Sequence, residues 1–285
     1  TGITGTELSA IGGATTGTVT VTNAVAITGN HDELTAALVT AGTKVEVSDA
    51  TVTVNDADTT AITAAELSAI GGATTGTVNL SGAVTISGTA DEITAALVTT
   101  GTKVVASKAG TTATVAGTVS AQAGKDFNDI SNVSATFDGV SDTIGNLTNG
   151  SGNAISSNLD AIVDADGTVV ITVSDGDATA ITAQQLSVVG SATTGTVTVT
   201  NAVAISGSRD ELTTALVNAG SKVEVTDATV TINDADASSI NAEDLSAIGG
   251  ETTGTVTVTN AVAISGTTAQ VTAALVTAGT LVEVT

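Results

Sequence analysis

The chain has 285 residues, of which 29 are acidic and 6 basic, giving a formal net charge of −23. That balance excludes nucleic-acid binding through clustered Lys and Arg and disfavours anionic membrane surfaces; no apolar run is long enough for membrane insertion. There is no Pro, Cys, Met, Trp or Tyr and only two Phe, so thiol chemistry is absent and the core must be thin layers of Val, Ile, Leu and Ala.

The first element predicted is a helix opened by Thr4 and Glu7, a hydroxyl–carboxylate pair that satisfies orphan amides in a capping box. Leu8 and Ile11 give it one apolar face, and Gly12 is expected to stop it at positive φ. Two short strands follow, Thr18–Thr22 and Ala24–Ile27, with Asn23 turning the chain between them. Asn30 with Glu33 opens a second helix, carried by Leu34, Ala37 and Leu38 and stopped at Gly42. Then come Lys44–Ser48, the turn residue Asp49, and Thr51–Val54. Strict alternation of β-branched residues marks all these strands as half-buried. Stacked copies of Asn23, Asp49, Asn201, Asp227 and Asn260 are expected to form an Asn/Asp ladder.

This unit recurs. Ile3–Gly13 returns from Ile62, Ile181 and Ile240, in steps of 59, 119 and 59 residues. Thr63 with Glu66, Thr89 with Glu92, Thr182 with Gln185 and Ser208 with Glu211 repeat the caps, and Gly71 and Gly101 the stops. The copy near residue 121 has diverged: an offset of 60 places Phe127 and Ile130 on Leu67 and Ile70, Phe137 alternates with Val133 and Ala135, and Thr148–Asn153 reads as an exposed loop. An isolated unit of this size cannot cover its apolar face, whereas stacked units cover one another. The expected fold is an α/β repeat solenoid of right-handed parallel coils, each a short helix plus two short strands, with about two coils per 59-residue repeat. Residues 1–120 are solenoid repeats, 121–180 a diverged repeat continuing them, and 181–285 repeats truncated mid-unit. Leu281–Thr285 matches Lys44–Ser48 with nothing after it, so the repeats are expected to continue beyond both ends in a longer polypeptide.

No catalytic constellation is present. Serine has no base to pair with, and His31, the one histidine, falls where later copies have Ala90 and Arg209, as a variable surface position would. Three equivalent loops carry paired acids, Asp56 with Asp58, Asp175 with Asp177, and Asp234 with Asp236. Asp164 and Asp166 share the spacing. Carboxylates two apart in a turn can converge on calcium, and acids beside a helix start also favour its dipole. On the first strand of each half-repeat the outward residues alternate between threonines and a charged set, Lys44 with Glu46 and Lys222 with Glu224. On the second strand they are small and uncharged, which marks Ala26, Thr53, Ala204 and Thr231 as candidate lateral contacts between copies.

The phrase Ala65-Glu-Leu-Ser-Ala-Ile-Gly-Gly-Ala-Thr-Thr-Gly-Thr-Val78, matched in variant form at residues 6–22, resembles the tandem repeats of giant secreted or cell-surface proteins of marine cyanobacteria and proteobacteria, of the haemolysin-like or S-layer-like kind. The resemblance implies an extracellular or cell-surface structural role and export by a calcium-associated type I route, although the Gly-Gly-x-Gly-x-Asp nonapeptide is missing. The expected function is therefore non-enzymatic: a repeat segment of a surface layer, filament, matrix or adhesin, partnered by other copies or other surface components. The alternatives are a binding module whose flat Thr/Ala face meets ice or polysaccharide, and a phage tail-fibre rod.

Overall fold

A computed structural model describes residues 2–42, 45–101, 104–221, 223–277, 279 and 282–284. The outward lysines Lys44 and Lys222 lie outside these residues. Short helices alternate with short strands in parallel sheets, an α/β fold. Contacts divide the chain into two units, residues 1–118 with 125–138, and residues 119–124 with 139–285. The diverged segment 121–180 contributes to both.

Six of the capping boxes expected from sequence are present, at Thr4, Asn30, Thr63, Thr89, Thr182 and Ser208. Thr267 with Gln270 adds one that the sequence reading passed over. The second helix of a repeat is one α-helical turn, His31–Leu34, continued as a wider π turn over Thr35–Val39, where Thr40 N reaches back five residues to Thr35 O at 2.9 Å. The same turn recurs at Thr94–Val98 and Thr213–Val217.

The glycines expected to stop helices at positive φ do not act that way. Helices Gly5–Gly13 and Ala64–Gly72 run through Gly12 and Gly71, and neither these nor Gly42 and Gly101 have positive φ. The counterpart of Gly12 and Gly71 in a later repeat, Gly190, is needed for close approach instead, since a Cβ there would lie 1.9 Å from Ser221 O.

The strands depart further from expectation. In the first unit, Gly2–Thr4, Ala26–Gly29, Thr51–Val54, Val78–Leu80 and Val104–Ala106 form one parallel sheet in that order. Ala61–Thr63, Thr85–Thr89, Thr111–Ala116 and Val133–Thr136 form another. A sheet thus begins with the second strands of one repeat and continues with the first strands of the next. Like strand stacks on like within a repeat, but the strand type changes at the repeat boundary, where Thr51–Val54 meets Val78–Leu80, so neither uniform strand row read from the sequence runs on through the sheets. The cause is a short strand before the first helix of each repeat, at Gly2–Thr4, Ala61–Thr63, Ala180–Thr182 and Ser239–Asn241. After Thr51–Val54 the chain passes through the acid loop 55–58 into Ala61–Thr63, which opens a new sheet. The second unit repeats the scheme in Ala180–Thr182, Ala204–Gly207, Thr229–Ile232, Val256–Val258 and Val282–Val284.

Alternation within the strands holds. Ile27, Val52, Val54, Ile62, Leu80 and Ile86 are buried under the helices with Leu67 and Ile70, each contributing roughly 1.5–3 kcal/mol of transfer free energy. In the diverged repeat Phe127 is fully buried as expected, while Ile130 and Phe137 are half-buried. Residues 164–166, which an offset of 119 aligns with the strand Val45–Val47, fall at the end of helix Ser157–Ala165, so one strand is lost there. Thr148–Asn153 is a loop closed by an antiparallel bridge from Thr148 to Ile155, but Thr148 and Gly152 within it are buried.

Candidate functional site: the acid clasps

The six sequence-predicted aspartates sit in three equivalent loops, and each loop grips its neighbours through backbone amides. The first aspartate reaches back to the start of the helix one half-repeat earlier. Asp56 Oδ2 accepts from His31 N at 2.8 Å, Asp175 Oδ2 from Ile144 N at 2.6 Å, and Asp234 Oδ2 from Arg209 N at 2.7 Å. The acid therefore completes the N-terminus of a helix distant in sequence rather than the one it precedes. The second aspartate reaches forward. Asp58 Oδ1 accepts from Ala83 N at 2.9 Å, Asp177 Oδ1 from Ala202 N at 3.1 Å, and Asp236 Oδ1 from Ala261 N at 3.0 Å.

The residue after the second aspartate closes the clasp. Thr59, Ala178 and Ala237 adopt left-handed backbone with φ of 67°, 59° and 65°. Their amides donate to Ala83 O, Ala202 O and Ala261 O at 2.8, 2.8 and 2.7 Å. A non-glycine residue held there costs on the order of 1–2 kcal/mol, which the paired bonds offset. The clasp is finished by Asn201 and Asn260, whose Nδ2 atoms donate to the carbonyls of Asp175 and Asp234 at 2.6 Å each. These asparagines bond backbone and not one another, so the expected side-chain ladder is absent at them.

His31 is not a bland surface residue. Its Nδ1 lies 2.7 Å from Asp56 Oδ1, and its side chain is only 15% exposed. Burial pulls its pKa down, but the hydrogen bond and charge of Asp56, with the charges of Asp32 and Glu66, outweigh burial and hold it above the ordinary value. Arg209 occupies the same place in a later repeat and pairs with Asp244 at 2.7 Å. At the first loop, Lys108 Nζ bonds Asp58 at 2.6 Å and, with the Ala83 amide, lowers that carboxyl's pKa.

A second recurring contact is made by the Thr-Thr-Gly of the repeat phrase. In Thr74-Thr75-Gly76, the Thr74 hydroxyl is buried, donates to Ala50 O at 2.7 Å and accepts from Gly76 N at 3.0 Å. Thr75 gives both its amide and its hydroxyl to Ser48 O, at 2.8 and 2.7 Å. Thr193–Gly195 and Thr252–Gly254 repeat these bonds to Val169 and Gly167, and to Ala228 and Thr226. The glycine is required because a Cβ at Gly76, Gly195 or Gly254 would stand 2.1, 2.4 or 2.2 Å from a carbonyl oxygen.

The proposed lateral residues are placed less simply. Ala26 is exposed; Thr53, Ala204 and Thr231 are half-buried. Ala26 faces Thr51 and Thr53 faces Thr28, so the two are not in one row. The row of Thr231 runs Ser206, Thr231, Thr257, Glu283, which brings charge into the sheet expected to lack it. Staggering of repeats explains this, because a first strand of the next repeat joins the same sheet. The row of Thr53, in contrast, runs Thr4, Thr28, Thr53, Asn79, Val105 without charge, and a second sheet adds the uncharged rows Ala61, Thr85, Thr112, Ser134 and Thr63, Ser87, Thr114, Thr136.

Among the described residues, no three His, Cys, Asp or Glu side chains are grouped to hold a metal ion, and no helix is long and apolar enough to cross a membrane. No protein family, curated protein or solved structure matches the chain.

Proposed function

We propose that the chain is a non-enzymatic structural module, a right-handed solenoid segment of an extracellular or cell-surface layer, filament, matrix or adhesin. The observation that supports this reading best is the recurrence of the acid clasp at the same place in three repeats. Polar side chains that an enzyme would aim at a substrate are used here to join one half-repeat to the next. Lateral association of copies through the outward strand residues is part of the proposal. Thr53→Lys with Thr231→Lys tests it: loss of assembly with an unchanged fold supports the strand faces as contacts, and normal assembly of the doubly substituted chain rejects them. Calcium would act as a stiffener through carboxylate oxygens engaged by neither the amides nor a basic side chain, as in the loops of Asp175 with Asp177 and Asp234 with Asp236, since His31 and Lys108 bond Asp56 and Asp58. Identical melting with calcium and with chelator would remove the ion from the proposal.

The uncharged Thr/Ser rows over Ala61–Thr63, Thr85–Thr89, Thr111–Ala116 and Val133–Thr136 favour a second reading, a flat face for ice or polysaccharide. Pull-down on insoluble polysaccharide and measurement of thermal hysteresis distinguish it from the first.

A further inference from the structure

Helix Ala183–Ala192 packs against the turns Arg209–Leu212 and Thr213–Val217, and helix Ala242–Gly250 packs on Thr213–Val217 as well. Between the first helix and the turns lies an open groove of about 290 Å³, with Gln184, Ser187 and Val188 on one wall and Asp210, Glu211 and Thr214 on the other. Other repeats close the same place with a side-chain bond. Thr6 and Glu33, the counterparts of Gln184 and Glu211, are joined by a Thr6 hydroxyl that donates to Glu33 Oε1 at 2.9 Å. At the next counterparts Gln270 Nε2 donates to Glu243 Oε2 at 3.0 Å, while Ala65 has nothing to offer Glu92. Gln184 carries an amide that could bond Glu211 and does not: among the described residues, neither that amide nor the Ser187 hydroxyl has a partner. The other wall also keeps bonding capacity. Ser208 takes Glu211 Oε2 through its amide and hydroxyl and leaves Oε1, and Arg209 Nε lies 3.1 Å from Asp210 Oδ1 and leaves Oδ2. Thr214 donates its hydroxyl to Asp210 O at 2.8 Å and keeps its lone pairs. Val188 adds an apolar patch where the other repeats have only Ala10, Ala69 and Ala247.

We propose that this groove binds one ring of a neutral sugar. The free carboxylate oxygens of Asp210 and Glu211 accept from ring hydroxyls in charge-assisted bonds. The Gln184 amide and the Ser187 hydroxyl both donate and accept, as the hydroxyls of a sugar do. Val188 covers part of the C–H face of the ring. The volume stands at the small end of ligand pockets, which suits a single ring. Two carboxylates on a chain of net charge −23 repel uronates and sulfated sugars, so selection for a neutral ring is built into the wall. The groove lies among helices, and the inference does not rest on the strand faces proposed above as contacts.

The test follows amide NMR spectra of the 285-residue chain during titration with the methyl glycosides of glucose, galactose, mannose and N-acetylglucosamine, with a chelator present. At least one glycoside should shift the amides of residues 184–188 and 209–214 saturably, and methyl glucuronate should bind at least about tenfold more weakly. Gln184→Thr copies the bridge of the first repeat and should weaken binding at least about tenfold. Glu211→Gln keeps a helix cap, since Gln185 and Gln270 cap their helices in the same way, but turns the free acceptor into a donor and should weaken binding likewise. Unchanged amide shifts outside the groove check that each variant is folded. The Thr53→Lys, Thr231→Lys chain should bind as the wild type does, so failure of the strand faces and failure of the groove give different results. No shift with any of the four glycosides, equal binding of glucuronate, or a folded variant that binds like the wild type overturns the proposal. Binding that appears only when calcium replaces the chelator assigns the groove to a cation and overturns it as well.

Discussion

At the scale of single residues, the chain uses a few side chains repeatedly and in fixed roles. In three copies of Thr-Thr-Gly, at Gly76, Gly195 and Gly254, the glycine has no room for a methyl group, whereas Gly17 in the first copy does. Gly76→Ala and Gly254→Ala would place Cβ 2.1 and 2.2 Å from backbone carbonyls, and each should destabilise by about 1–3 kcal/mol or more. Gly72→Ala is the control: nothing lies within 4 Å of its added Cβ, and alanine at this helix end should be neutral or gain up to about 1 kcal/mol. Denaturant unfolding of the three variants checks the contrast. His31 gives a pH dependence of definite sign. Its pKa is raised in the folded state, so its contribution to stability is complete below the ordinary value of 6.5 and is lost as pH rises through the folded value. Melting temperature followed from pH 5 to pH 8 should therefore fall by a small increment in the wild type that His31→Ala lacks, with Asp56, Asp32 and Glu66 as the facing charges. An equal fall in both chains would assign the effect to other groups.

At the scale of elements, helices were far more legible in the sequence than sheets. A capping box lies within four residues, so Thr4 with Glu7 and its repeats could be read directly. Inward and outward strand positions could also be read, because the period of two is local. Val199 is buried and Thr198 is not, so Val199→Asp should unfold its sheet or cost several kcal/mol, while Thr198→Asp should cost far less. Thermal unfolding of the pair measures this, and equal losses would mean that the register is wrong. Strand partners, by contrast, lie about one half-repeat apart, and similar Val/Thr strands fit several neighbours equally well. Ala61–Thr63 was missed because a strand of three residues has too few positions to show alternation. The role of the aspartates was half legible. Their place beside turns was visible, but their amides belong to His31, Arg209 and Ala83, which only the fold brings near.

At the scale of the whole molecule, neighbouring repeats share the five-stranded sheet of residues 2–106, and a single repeat completes only a two-stranded one. Residues 1–60 contain three strands of the five-stranded sheet and one separate strand pair. Expressed alone, that segment should be unfolded by circular dichroism, whereas residues 1–138 should melt cooperatively. The difference arises because Val78–Leu80 and Val104–Ala106 complete the sheet from the next repeat. A folded 1–60 fragment would show that one repeat is self-sufficient. The spacing of 59 was plain in the sequence because it is a property of order along the chain. The stagger between repeats was not, because it depends on which of two similar strands meets which.

The shared sheets also constrain how such a gene can grow or shrink. A duplication of a full 59-residue period brings each strand of the Thr51–Val54 type to a first strand and each aspartate to its amide. A duplication of half a period would set two helix types in succession without the extra strand between them, and the Asp56-type clasp would close on nothing. Recombination between misaligned copies should therefore leave viable products only at whole-period steps. The 119-residue interval across the diverged copy is one residue more than two such periods, so drift there has altered side chains and surrendered one strand while almost conserving the count. Length in such a chain should therefore change in whole repeats, with the sheet that spans two neighbours setting the size of each step.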